Sequence, residues 1–235
     1  MDAEPSMASI GALIGSPARS AMLALLFDGR ALTATELSQA AGVSAATASE
    51  HLSKLVTGGL LVCEKHGRHR YYKLAGEDVA EALEPLIHLV RHKPAPIRQA
   101  SSEQKQIRCA RLCYDHMAGE LGVSITTALV AHGYLSIEDR HYNVTTKGEQ
   151  FFAELGIDLG SLRKTRRQFA PQCLDWSERK PHVAGALGAA ITLLAFNLKW
   201  IERTRHRRII KLTDLGRQQL GQKLGIKQWN SFDYG

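Results

Sequence analysis

The second half of this chain is written twice, and that constrains its fold more than any other feature. From Cys113, "CYDHMAGELGVSITTALVAHGYL" is echoed from Cys173 by "CLDWSERKPHVAGALGAAITLLAFNLKWI", once the six residues "WSERKP" are set aside. The shared frame is Cys-x-Asp, then His-x-Ala-Gly-x-Leu-Gly, then a helix carrying a Thr. Each copy continues into a hairpin, a Thr-x-x-Gly (Thr145 to Gly148, Thr213 to Gly216) and a helix ending Leu-Gly-Ile. A repeat of about 50 residues in the order helix, helix, hairpin, helix is a winged-helix-like unit, and its duplication predicts two lobes packed on each other about a pseudo-twofold axis. The second copy puts "AAITLLAFNL" where a recognition helix would stand, and a helix apolar on all sides is expected to be buried. These copies are therefore not expected to read bases.

The first half has a different grammar. "PARSAMLALLFDG" has Pro17 at a helix start and Gly29 at its end, with Met22, Leu23, Leu25, Leu26 and Phe27 as an apolar side. In "TATELSQAAGVS", Thr33 or Thr35 caps a short helix through Ala41, Gly42 suits a left-handed turn, and Ser44 caps the next helix. Two short helices around a glycine turn make a helix-turn-helix. The second of them carries an apolar stripe of Ala48, Leu52, Leu55 and Val56, and an opposite face of Ser44, Ala45, Ala46, Thr47, Ser49, Glu50 and Ser53. An ordinary surface helix advertises long charged side chains; this face is short and smooth and rich in donors and acceptors, so it suits close approach to the major groove of a duplex. After Gly58 and Gly59, "LLVCEKHGRHRYYKL" predicts strands Leu60 to Lys65 and Arg70 to Leu74 around Gly67. This is a wing, and Lys65, His66, Arg68, His69 and Arg70 gather positive charge on it where phosphates would lie.

With these residues in view, positions 8 to 92 resemble the ArsR-type winged-helix repressors. Their signature, S-x-x-T-x-S-x-H-L-x-x-L-x-x-x-G-L, stands here as Ser44, Thr47, Ser49, His51, Leu52, Leu55, Gly59 and Leu60. The resemblance implies base or phosphate contacts from Ser44 to Ser53, a wing at Gly67, and dimerisation through an N-terminal helix and the helix from Glu77 to His92. That last helix carries Val79, Leu83, Leu86, Ile87 and Val90 on one side. A homodimer matches a palindromic operator on double-stranded DNA. The chain departs from the family where metal is usually sensed: "ELSQAAG" holds no cysteine pair, and Asp78 is followed by Val79 and Ala80. Glu81, Glu84, His88 and His92 fall at helical spacing; they offer ligands to Zn²⁺, with a solvated face the preferred reading. Long members of the group carry a similar C-terminal extension, which brings no known ligand with it.

Composition agrees with a DNA-binding regulator. The net charge is +7 and the isoelectric point about 9.3, a balance that favours a polyanionic partner. No run approaches a bilayer span, and the first residues lack the charged start of a signal peptide, so a cytoplasmic protein is expected. The fold class expected is mainly α with small β-hairpins (α+β): a winged helix-turn-helix over 1–92, a linker over 93–106, and repeats over 107–160 and 161–235 that form a sensor. Four cysteines, at 63, 109, 113 and 173, are too few for a disulfide scaffold and read as reduced thiols, Cys63 as buried filler in its strand. Cys109, Cys113, Asp115, His116, Cys173, Asp175 and His182 offer thiolate, imidazole and carboxylate groups to a metal ion or small-molecule effector. The structural reading makes the repeated Cys a small apolar residue and the repeated Asp a helix cap; thiol redox sensing is the third. No cofactor is required. An enzyme using Cys113, Asp115 and His116 is the competing class, with the helix-turn-helix as a packing unit. Arg203, Arg205, Arg207 and Arg208 crowd the last hairpin, as a solvated loop or an accessory phosphate contact.

Overall fold

Capping chemistry sets the helices of the first half. The computed structural model describes residues 7–66, 69–76, 78–80, 82–83, 86, 102–206 and 208–226, and the chain divides into two units, Met1–Glu84 and Pro85–Gly235. In the first, α1 spans Met7–Ile14, and α2 runs from Pro17, whose fixed φ suits a first helical turn, to Leu25. A 3-10 turn, Leu26–Asp28, ends at Gly29 in the left-handed region (φ 73°). Thr33 opens α3 (Ala34–Ala41) with a reciprocal bond pair to Glu36, and Gly42 at φ 64° turns the chain. Ser44 then accepts from the Thr47 amide at 3.2 Å and opens α4, Ala45–Thr57. The stripe read from the sequence closes this core: Met22, Leu26, Phe27, Leu37, Ala48, Leu52 and Leu55 are each at most 1% exposed.

The wing is β2 (Leu61–His66) against β3 (His69–Leu74), in register from Leu61 opposite Leu74 to His66 opposite His69. A two-residue strand that the sequence did not announce, β1 (Leu32–Thr33), pairs with the other side of β3. Cys63 corrects the expectation of buried filler: it is exposed. Among its described side chains only Leu61 of β2 is buried, and from Cys63 to Lys65 the strand runs out into solvent. Gly67 and Arg68 lie outside the described residues, as do Glu81, Glu84, Ile87, His88, Val90 and His92 of the helix expected over 77 to 92. Its described positions are helical, with Ala80 and Leu83 buried.

In the second unit α5 (Ser102–Cys109) takes up the last residues of the expected linker, and Gln106 is buried. The rest of that linker lies outside the described residues. One hairpin, helix, hairpin, helix series then follows another. The first is β4 (Arg111–Cys113), β5 (His116–Ala118), α6 (Gly119–Ala131), β6 (Leu135–Glu138), β7 (His141–Val144) and α7 (Thr146–Glu154). After α8 (Leu159–Arg163) the second is β8 (Gln172–Leu174), β9 (Pro181–Val183), α9 (Gly185–Asn197), β10 (Ile201–Arg203), β11 (Ile210–Leu212) and α10 (Asp214–Leu224). Each Cys-x-Asp segment thus runs from the first strand of a hairpin into its turn, which corrects the helix expected there. Tyr114, at φ 57°, reverses the chain so that Cys113 pairs with His116. The repeated Ala-Gly also has its reason in this geometry: Gly119 and Gly185 start their helices at φ 76° and 67°, and a Cβ would meet the Arg108 and Gln168 carbonyls at 2.5 and 2.4 Å.

The copies exchange equivalent contacts. The Thr126 hydroxyl on α6 donates to Gly122 and accepts from the Val183 amide of β9 at 3.0 Å; on α9, Thr192 donates to Gly188 and accepts from the Met117 amide of β5 at 2.9 Å. Likewise the Leu112 amide donates to the Arg208 carbonyl, and the Gln172 amide to the Arg140 carbonyl. Both copies feed one apolar core, including Leu121, Leu129, Phe152, Leu187, Ile210 and Leu212. The helix expected to be buried all round, α9, opens to solvent at Leu193, which is 61% exposed, and at Asn197. Thr192→Val is expected to cost the C-terminal unit about 1–3 kcal/mol by orphaning the buried Met117 amide, with Thr192→Ser close to wild type. Urea unfolding checks it, and a cost shared equally by both variants would overturn it. Among the described residues no single helix is long and apolar enough to cross a membrane.

Candidate functional site

Two places carry chemistry, one in each unit. On α4, Ser44, Ala45, Ala46, Thr47, Ser49, Glu50 and Ser53 are all exposed, as the spacing predicted, while Ala48, Leu52 and Leu55 anchor the helix from behind. Glu50 pairs with Lys54 at 2.6 Å, and this bond holds its carboxyl below the usual range. On the wing, exposed Lys65 and Arg70 stand directly opposite each other in the strand register. Like charges so placed repel, and an anion laid against them relieves it. The side chains of His66 and Arg68 lie outside the described set, so this basic edge rests on Lys65 and Arg70.

The second place joins the two repeats. Of the seven candidates in the duplicated half, the fold gathers Cys113, His116, Cys173 and His182, whose ligand atoms all lie within 4.8 Å of one another. The sulfurs of Cys113 and Cys173 are 3.7 Å apart, and the rings of His116 and His182 have centroids 5.1 Å apart. His116 is 2% and His182 1% exposed, and none of their four ring nitrogens has a hydrogen-bond partner. Burial disfavours charge on both imidazoles. In His182 it prevails, helped by neighbouring His116, and the pKa falls well below the ordinary value. In His116 burial is outweighed by the Cys113 sulfur and the Asp115 carboxylate, which lift it to about 10.

Cys109, Asp115 and Asp175 stand outside this group. Cys109 is buried at the end of α5. The aspartates bind arginines of the opposite copy, a role the sequence did not disclose. Asp175 meets Arg111 at 2.8 Å, both within 1% of full burial, and accepts from the Gly119, Ser177 and Glu178 amides. Asp115 takes a two-pronged bond from Arg167 at 2.6 and 2.8 Å. Burial raises both carboxyls, and the arginines with these hydrogen bonds outweigh it, so both lie below the usual range, Asp175 far below. Each aspartate also flanks a cluster imidazole: Asp115 is 3.5 Å from His116 Nδ1, and Asp175 3.8 Å from His182 Nδ1.

Other features are quieter. A cavity of about 30 Å³ lined by Met117, Ile125, Phe152, Leu194 and Trp200 has room for about two waters, and is loose core packing rather than an effector pocket. Of the arginines near the last hairpin, Arg203 lies over the Phe196 ring at 5.0 Å and Arg208 donates to the Leu112 carbonyl. Arg205 is exposed, and Arg207 lies outside the described residues.

Comparison with known proteins bears on the whole chain. A family model described as a helix-turn-helix domain matches residues 14–64. A Bacillus subtilis (strain 168) protein, named as the uncharacterized HTH-type transcriptional regulator YdfF, is 42% identical over 223 residues, covering 95% of this chain and 99% of its own. The Mycobacterium tuberculosis HTH-type transcriptional regulator Rv0324 is 34% identical over 121 residues, 49% of this chain and 53% of its own. Among solved structures, the homodimeric winged helix-turn-helix domain (fragment 1-100) of Mycobacterium bovis Mb0332, titled a possible ArsR-family regulator, is 29% identical. It covers 41% of this chain and 100% of that one, with a TM-score of 0.33. Likeness along nearly the full length of the Bacillus protein joins here with a winged, capped helix-turn-helix. This chain belongs to the HTH-type transcriptional regulators that bind DNA, and carries the ArsR-type signature in its recognition helix.

Proposed function

We propose that the protein works in the cytoplasm as a repressor, binding a palindromic operator as a homodimer and releasing it when the C-terminal half meets an effector. The observation that carries the reading is the exposed small and hydroxyl-bearing face of α4 beside the opposed Lys65 and Arg70. The α4 face reads base edges in the major groove, and the wing follows phosphate. Support for the dimer comes from α1, "MASIGALI", none of whose residues is buried, and from Leu86, 36% exposed on the expected dimer helix. Such apolar surface calls for a partner, and a second copy supplies it with the twofold a palindrome needs. Against the competing enzyme reading stands Asp115, whose two oxygens are both taken by Arg167.

The test is binding of the full chain to duplexes from the region upstream of its own gene, across a salt series. Lys65→Ala with Arg70→Ala is expected to lower the magnitude of the log-affinity against log-salt slope by about 1.8, about 0.9 per phosphate contact. Glu50→Ala is expected to change which sequences are preferred rather than the slope. Absence of any duplex bound above the non-specific level at low salt would overturn the reading, as would a monomer in the bound complex.

A further inference from the structure

We propose that the two repeats of the C-terminal unit together hold one thiophilic divalent metal ion, with Zn²⁺ as the ion of best fit, between Cys113, His116, Cys173 and His182. The site goes beyond the reading of the protein as a DNA-binding regulator and does not depend on it.

The first support is the donor set. Two sulfurs and two imidazoles are the ligands of a tetrahedral Cys2His2 centre, which selects zinc-like ions over Mg²⁺ or Ca²⁺. Two thiolates bound at about 2.3 Å to one tetrahedral ion stand about 3.8 Å apart, and the Cys113 and Cys173 sulfurs are 3.7 Å apart. The second support is independent of spacing. An imidazole has two ring nitrogens to satisfy, yet His116 and His182, at 2% and 1% exposure, make no hydrogen bond at any ring nitrogen, and only their Nδ1 atoms have a carboxylate beside them. A buried polar group in that condition costs stability, and a metal bond satisfies one nitrogen of each ring. The third is what lies behind the rings: Asp115 and Asp175, each locked by an arginine, sit beside the Nδ1 atoms. Outer carboxylates of this kind fix a ligating imidazole's orientation.

The ligands come from equivalent hairpins, Cys113 and His116 from β4 and β5, Cys173 and His182 from β8 and β9. The ion would therefore staple one copy to the other, and duplication of one Cys and one His builds the whole set. Four protein ligands leave no open position, which belongs to a structural or sensing centre rather than a catalytic one. On binding, the two thiols enter as thiolates and their protons leave to solvent, so affinity rises with pH.

The test uses the full chain, reduced, stripped of metal with a chelator and titrated anaerobically with Co²⁺, then Zn²⁺. One Co²⁺ per chain is expected, with the strong visible bands of four-coordinate cobalt and a near-ultraviolet thiolate-to-cobalt band, both erased by one equivalent of Zn²⁺. Cys113→Ser with Cys173→Ser should abolish the thiolate band and weaken binding by at least about 100-fold, beyond the 10- to 100-fold that outer partners contribute. Cys63→Ser, at an exposed thiol, should leave the spectrum unchanged. If the double variant fails to fold, Cys173→Ser alone, at a half-buried position, serves in its place. A folded, reduced protein that binds no cobalt overturns the proposal, as do weak bands of six-coordinate cobalt or a thiolate band that survives loss of Cys113 and Cys173. Loss of operator binding with an intact cobalt spectrum would instead count against the proposed function alone.

Discussion

Arg111→Ala is expected to remove about 3–5 kcal/mol from the stability of the C-terminal unit, the cost of leaving a buried carboxylate without its cation. Arg111 is 1% exposed, and its guanidinium donates to Asp175, to the Ser177 hydroxyl and to the Ile107 carbonyl while lying over the Trp176 ring at 4.7 Å. Asp175 in turn accepts from the Gly119 amide at 2.6 Å, so it fastens the head of α6 from the opposite copy. Amide donors alone do not neutralise a charge so deeply placed, which is why truncation of the arginine should cost more than any single hydrogen bond. Arg163→Ala is the internal contrast: its bond to Glu149 joins side chains 46% and 50% exposed, and such pairs contribute at most about 1 kcal/mol. Urea unfolding followed through the near-ultraviolet signal of the aromatic core measures both. A loss below about 1 kcal/mol for Arg111→Ala would show that the fold relaxes to hydrate Asp175.

How legible this was from the sequence depends on how local the cause is. The helix-turn-helix was fully written in caps and spacing: Thr33 with Glu36, Gly42, Ser44, and the stripe from Ala48 to Leu55 each act within a turn or two. The repeat was legible as well, and four of the seven residues singled out in the second unit lie together. It did not say which of seven would meet. Strands of three residues leave no period to detect, and the reversal at Tyr114 takes a conformation that nothing in "CYDH" advertises. The partners of the aspartates are still less local, since Arg111 and Arg167 lie 64 and 52 residues from the carboxylates they bind. Cys63 misled for a related reason. Its strand is apolar as far as Cys63, but full burial ends at Leu61.

Ala46→Glu is expected to cut operator affinity by about 100-fold or more while leaving the N-terminal unit as stable as wild type or slightly more so. The two effects come from one charge in two fields. Ala46 is exposed in the first turn of α4, where a carboxylate meets the positive end of the helix dipole and typically adds about 0.3–1 kcal/mol. With DNA in place the same carboxylate faces a row of phosphates, and like charges brought together at an interface cost several kcal/mol, at about 1.4 kcal/mol per tenfold in affinity. Misfolding cannot mimic this outcome, because thermal unfolding of the variant reports stability separately. Ala46→Lys supplies the opposite sign: a slightly weaker helix start, tighter non-specific binding, and a salt slope steeper by about 0.9 if the lysine reaches one phosphate. Equal affinities for wild type, Glu and Lys at this position would mean that the smooth face of α4 does not approach the duplex, and that its short side chains answer to some other surface.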